Sequence, residues 1–323
     1  MPTVGAVSNH TYRKGRERLM NNRYLDELNK RILLNPRNAE AYRERGDVYR
    51  YLQEFDKAII DYSKAIKLEP GDAKTYRNRG YAYSNAEKYD RAIADYNEAL
   101  KLDPGFATAY CDRGFAYDEK GEYDRAIADY NEAIRIDAEY AMAYCNRGYA
   151  YRRKEELEQA IADYSKAIEL DPEYALAYRN RGSAYRHIGE HDKALADYTE
   201  AIRIRPDYFL AYLNRGHVYT EKHEYDKALT DFNEAVRLGP EDSVIYCQRG
   251  IAYRYLGEYD KAIADFDQAL RLEYDYAHVY YERGIVYYKK GDYEKALIDL
   301  GEAIRLNHAF ADAFAAEVAA NFS

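Results

Sequence analysis

A glycine returns every 34 residues along this chain. Gly46, Gly80, Gly114, Gly148, Gly182, Gly216, Gly250 and Gly284 mark eight copies that run from Ala39 to Phe310 without an insertion. Stacked copies of this kind contact only their neighbours and build one continuous core. The expectation is therefore a single stack of repeats, not the two globular domains that 323 residues would otherwise suggest.

The copies also carry their own secondary-structure signal. With the glycine numbered as position 8, positions 4 and 11 are Tyr in every copy, from Tyr42 and Tyr49 to Tyr280 and Tyr287. Positions 20 and 27 are always Ala, from Ala58 and Ala65 to Ala296 and Ala303. Position 24 is aromatic from Tyr62 to Phe266 and becomes Leu300 in the last copy. Positions 1, 4, 8 and 11 share one helical stripe, and 20, 24 and 27 share another. Position 18 is Asp or Glu throughout, as in Asp56 and Glu158, which suits a helix N-terminus as a cap or as a charge on the dipole. Gly121, Gly189, Gly257 and Gly291 at position 15 mark a turn between the stripes. Pro70, Pro104, Pro172, Pro206 and Pro240 at position 32 mark a stop, lost at Ala138, Tyr274 and His308. Each copy reads as helix, tight turn, helix, stop. Small residues at 8, 20 and 27 let the two helices approach closely, and the tyrosines at 4 and 11 are expected to fill the space around that contact.

The pattern Tyr-x2-Arg-Gly-x2-Tyr, then Ala-x3-aromatic-x2-Ala, then Pro, at period 34, resembles the tetratricopeptide repeat over 272 of 323 residues. Two departures recur: the family's Trp slot is Tyr, and its Leu slot at position 7 is Arg in every copy. The resemblance implies an all-α, right-handed superhelical solenoid of antiparallel helix pairs. It also implies a concave groove lined by the first helices and a non-catalytic role in protein recognition. Residues 1–18 are expected to be a flexible segment, and residues 19–38 a half-repeat helix with Tyr24 and Leu28 in slots 20 and 24. The eight repeats occupy 39–310. Residues 311–323 read as a capping helix with Phe314, Val318 and Phe322 as an apolar stripe, which would serve self-association or be covered by further chain.

Two polar slots never vary. Position 7 is Arg from Arg45 to Arg283, and position 23 is Asp from Asp61 to Asp299. They read as a ladder of ligand-binding arginines or as a pair joining the two helices of a repeat. Their strict co-occurrence favours the pair, because the planar guanidinium matches a carboxylate.

The resemblance places variable groove residues at positions 2, 5, 6, 9, 12 and 13. Position 6 carries Asn78, Asn146, Asn180 and Asn214, with Asp112 and Gln248 as near substitutes. Side-chain amides donate to and accept from an extended backbone, and the column is similar to the asparagine ladder of the O-GlcNAc transferase superhelix. The alternative is that these residues only solvate their helices. Position 9 adds Tyr81, Phe115 and Tyr149, either as groove contact area or as packing against the next copy. Positions 5, 12 and 13 add Arg77, Arg152, Arg153, Arg179, Arg186 and Arg254. The six slots hold ten Lys or Arg against eight Asp or Glu, and copies four and five hold four arginines and no acid. An acidic or phosphorylated extended segment is the expected ligand.

Other classes are disfavoured. The chaperone-binding members of the resembled family place Lys at 5 with Asn at 9, then Asn at 6, then Lys at 2 with Arg at 6. Only the Asn at 6 is matched, so a heat-shock chaperone carboxylate tail is not the expected partner. A net charge of −9 argues against nucleic acid. Apolar runs stop at six residues, too short for a membrane span. Arg13, Lys14, Arg16 and Arg18 precede no apolar segment, so no secretory signal is read and a cytoplasmic location is expected. His187, Glu190 and His191 match an H-x-x-E-H string, but the turn glycine Gly189 splits it between two helices. Cys111, Cys145 and Cys247 all fall at position 5 and read as small groove-lining residues, not a disulfide pair. No cofactor, metal or catalytic constellation is expected. A self-assembly module, or the targeting arm of a larger enzyme, remains the alternative function.

Overall fold

A computed structural model of the chain describes residues 23–311. The expected flexible segment, and the apolar stripe of Phe314, Val318 and Phe322, lie outside the described residues. The described residues are helical throughout, with short turns and no strand among them. Helix α1 covers 23–34. Four helix pairs follow: α2 (Ala39–Tyr51) with α3 (Phe55–Leu68), α4 (Ala73–Asn85) with α5 (Tyr89–Leu102), α6 (Ala107–Glu119) with α7 (Tyr123–Ile136), and α8 (Ala141–Arg153) with α9 (Leu157–Leu170). Four more complete the array: α10 (Ala175–His187) with α11 (His191–Ile204), α12 (Phe209–Glu221) with α13 (Tyr225–Leu238), α14 (Ser243–Tyr255) with α15 (Tyr259–Leu272), and α16 (Ala277–Lys290) with α17 (Tyr293–Leu306).

The chain divides into two compact units, one ending at Leu170 and the other beginning at Asp171. The division falls at a repeat boundary, as expected where each copy packs mainly on its neighbours. Within the first unit, α2 touches α4, α4 touches α6 and α6 touches α8; within the second, α10 touches α12, α12 touches α14 and α14 touches α16. Successive second helices make no comparable contact. The first helices are thus the inner layer of each unit.

Local chemistry explains the pairs. Asn38, Asp72 and Asp242 cap α2, α4 and α14 by accepting from Ala41, Lys74 and Val244 main-chain N–H groups. The turn between helices needs a left-handed residue at position 15 in every copy. Glycine supplies it at Gly121, Gly189, Gly257 and Gly291, while Gln53, Glu87, Glu155 and His223 adopt it at φ between 57° and 64°. The close approach at position 8 is made by the ring at position 24. A Cβ on Gly80 would stand 2.8 Å from Tyr96 Cε1, and one on Gly216 would stand 2.6 Å from Phe232 Cε1.

One expectation is corrected and another is narrowed. The tyrosines at 4 and 11 do not chiefly fill the space around that glycine. They flank the invariant arginine, as where the Arg79 guanidinium lies 5.8 Å from the Tyr76 ring and 5.9 Å from the Tyr83 ring. The acid at position 18 does not cap its helix. It keeps the other expected role, lying in the first turn at the positive end of the helix dipole, and in five repeats it also meets a lysine of the next one, as in Asp90 with Lys120 at 2.7 Å and Asp124 with Lys154 at 2.8 Å.

The Arg–Asp pair is present in all eight repeats. Arg79 Nε and Nη2 donate to the two oxygens of Asp95 at 2.7 and 2.6 Å, and Arg147 does the same to Asp163. Nη1 reaches back to position 25 of the preceding repeat: Arg79 to Ser63 at 3.0 Å, Arg113 to Asn97 at 2.6 Å, Arg215 to Thr199 at 3.0 Å. One side chain therefore ties its own two helices together and ties them to the neighbour. The signal for this second contact was in the sequence, since position 25 is Ser, Asn, Thr or Asp in every copy but the last. Burial pushes the Asp95 and Asp129 carboxyls up even beside their arginines, while the arginine protons are held more tightly. The bidentate geometry is that of an ionised pair. Its desolvation cost is already met in the fold, so removing one partner is the expensive change.

Candidate functional site

The variable side chains of the first helices meet one another across neighbouring repeats. In the first unit, Asn78 Nδ2 donates to Asp47 Oδ1 at 3.1 Å, and the Tyr62 hydroxyl donates to the same oxygen at 2.7 Å. Arg77 Nε donates to Asp112 Oδ2 at 2.5 Å. The guanidiniums of Arg50 and Arg77 lie 5.5 and 5.8 Å from the centroid of the Tyr81 ring. Asn146 Nδ2 stands 3.5 Å from Cys111 Sγ. Phe115 is exposed. The Tyr149 ring carries Arg152 at 4.9 Å and Arg153 at 5.9 Å, and Arg153 also donates to the Tyr149 and Tyr123 hydroxyls at 3.3 and 2.6 Å.

In the second unit, Asn180 is buried and accepts from Arg179 Nη1 at 3.2 Å. Asn214 and Gln248 are half-buried. Arg186 pairs with Glu221 at 2.7 Å, and Arg254 with Glu282 at 2.8 Å. His217 sits edge-on to Phe232, 5.9 Å between centroids. Burial and the nearby Arg186 push its imidazole down to about 4, so it is neutral at physiological pH.

The expected amide column is therefore not uniformly available. Asn78 and Asp112 are engaged by neighbouring side chains, and Asn180 is buried. Arg77, Arg186 and Arg254, read from the sequence as ligand-facing, each meet a carboxylate of the adjacent repeat. The cysteines need a correction. Cys111, Cys145 and Cys247 are buried and form no disulfide, and Cys111 and Cys247 belong to cores formed with the following repeat. They do not line an open surface, because position 5 points at the neighbouring copy. Burial pushes the Cys111 thiol up to about 12, which removes thiolate chemistry. His187 ends α10 and His191 begins α11, with Gly189 at φ +77° between them, so the H-x-x-E-H string shares no helical face. Among the described residues no group of three or more His, Cys, Asp or Glu is placed to hold a metal ion, and no helix is long and apolar enough to cross a membrane.

Models of the TPR repeat match residues 46–86, 116–155, 148–187, 182–223 and 250–291. Models of the tetratricopeptide repeat match 73–106, 209–242, 277–310 and 95–128. The chain belongs to the tetratricopeptide repeat family. No curated protein matches it in sequence. Solved tetratricopeptide structures share the fold. A chain of the APC/C hetero-tetramer Cut9–Hcn1 superposes with a TM-score of 0.63 at 19% identity; the match covers 84% of this chain but 54% of that one. A tetratricopeptide repeat protein from Parabacteroides merdae gives 0.58 at 20% identity, covering 74% of this chain and 96% of that one. PilF from Pseudomonas aeruginosa gives 0.58 at 18% identity, covering 64% and 94%. These likenesses fix the tetratricopeptide architecture and leave recognition to the residues described above.

Proposed function

We propose that this tetratricopeptide repeat protein is a non-catalytic interaction scaffold whose inner helical face holds an extended, acidic peptide or partner segment. The observation that carries the reading is how the arginines are distributed among partners. The eight invariant arginines are held by invariant aspartates, and Arg77, Arg186 and Arg254 by variable carboxylates. Arg152, Arg153 and Arg179 have no carboxylate within 4 Å among the described residues. They contact tyrosine rings, tyrosine hydroxyls or an asparagine instead. Cationic groups left in this state on a variable face favour an anionic partner.

The test is capture from the source lysate with two baits, wild type and a variant with Ala at Arg152, Arg153 and Arg179. A partner retained by wild type alone, and released by moderate salt, supports recognition on the inner face. Partners retained equally by both baits move the interaction to another surface.

A further inference from the structure

The junction of the third and fourth repeats holds polar groups that the fold does not satisfy. Asp118, at position 12 of α6, is 3% exposed, and its Oδ1 has no hydrogen-bond partner. Across the junction, Arg152 Nε at position 12 of α8 is buried and unpartnered, and so is the hydroxyl of the fully buried Tyr164. These atoms belong to one cluster. Asp118 feels the charges of Arg152 and Arg153, yet neither forms an ion pair with it within 4 Å. The Arg152 guanidinium lies beside the Tyr164 hydroxyl without a well-formed hydrogen bond. In the first and fifth repeats the position 24 hydroxyl finds a partner at position 9, Tyr62 in Asp47 and Tyr198 in Ser183. In the fourth repeat position 9 is Tyr149, whose ring supports Arg152 instead. Buried groups left in this state cost stability in the free protein. A ligand that satisfies them recovers that cost on binding.

The three groups also define the ligand. Two adjacent guanidiniums, one of them exposed, match a carboxylate or phosphate. An unmet carboxylate oxygen behind them requires an N–H or O–H donor next to that anion. An acidic residue in an extended chain carries both, the anion on its side chain and the N–H on its backbone. We propose that Asp118, Arg152, Arg153 and Tyr164 form a subsite that takes one acidic or phosphorylated side chain together with an adjoining main-chain N–H. The proposal rests on the peptide-binding reading above and assigns it a location.

The experiment uses the full chain and fluorescein-labelled decapeptide pools, each fixing Glu, phosphoserine, Lys or Leu at a central position, read by fluorescence anisotropy. Wild type is expected to bind the Glu and phosphoserine pools about tenfold more tightly than the Lys pool, and Arg152→Ala with Arg153→Ala removes the preference. Asp118→Leu weakens binding about tenfold while the thermal midpoint holds or rises, a combination a purely structural residue would not give. Asp118→Asn keeps an acceptor oxygen and stays within about threefold of wild type. The ratio of the Glu and phosphoserine pools tells which anion the subsite takes. Wild-type binding with an unchanged preference in the double arginine variant overturns the subsite and leaves the inner-face reading standing. Failure of every pool to bind wild type overturns both.

Discussion

Two sets of arginines share the first helices of this protein, and they differ in what surrounds them. Those at position 7 are nearly identical in every repeat. Two nitrogens grip an aspartate of the partner helix, a third reaches the preceding repeat, and tyrosine rings lie alongside. Those at positions 5, 12 and 13 meet a different neighbour each time: a carboxylate at Arg77 and Arg186, a tyrosine at Arg152 and Arg153. The same side chain is architectural where its partners are fixed; where they vary, Arg77, Arg186 and Arg254 pair with the adjacent repeat while Arg152, Arg153 and Arg179 meet no carboxylate within 4 Å among the described residues. Composition alone cannot separate the two sets.

The comparison breaks first at the invariant pair. Asp163→Ala strands the Arg147 guanidinium among buried groups and should cost about 3–5 kcal/mol in urea unfolding, whereas Arg153→Ala on the variable face should stay within about 0.5 kcal/mol. Equal midpoints for the two variants would erase the distinction. Gly148→Ala tests the close approach that positions both sets. Its Cβ would stand 2.9 Å from Tyr164 Cε1 and 3.1 Å from the Ala160 carbonyl, an overpacking that should cost about 1–3 kcal/mol.

Asp118 sharpens the comparison from the other side. Burial pushes its carboxyl up to about 6 despite Arg153 and Arg152. The folded state thus holds this proton more tightly than the unfolded chain. Stability contributed at this residue falls as pH rises from about 4 through 6, and the penalty is complete above that. At pH 7 Asp118→Asn should therefore stabilise the protein by about 2 kcal/mol, and the gain should shrink as pH is lowered to 4. A stability loss at pH 7 would show the carboxylate to be a structural partner after all. Glu155→Gly relieves a left-handed residue at φ 64° and should add about 0.5–1 kcal/mol by thermal unfolding. The smallest effect is expected at the exposed Lys154–Asp124 pair, where Lys154→Ala should move the midpoint barely at all.

Much of this architecture was legible in the residues. The 34-residue period, the small residues at 8, 20 and 27 and the coupled Arg and Asp slots specify a helix pair, its close approach and its internal ion pair. They do so because these contacts recur at fixed offsets within a repeat, and a recurring offset leaves a repeating sequence. Position 25 left the same kind of trace, and the arginine's contact with it was there to be read. The need for a left-handed residue at 15 was half visible: Gly121 announced it, Glu155 did not, because φ is a property of the backbone and glutamate does not display it. The partners on the variable face were not legible. Arg77 meets Asp112 and Arg186 meets Glu221 at a separation of 35 residues, whereas Arg254 meets Glu282 at 28. Those pairings depend on how one repeat is rotated onto the next and on which rotamer each long side chain adopts, and neither is written in a single copy. Whether a groove arginine meets a carboxylate of its neighbour, and whether a cysteine faces solvent or the adjoining repeat, were therefore decided only by the packing of repeat on repeat.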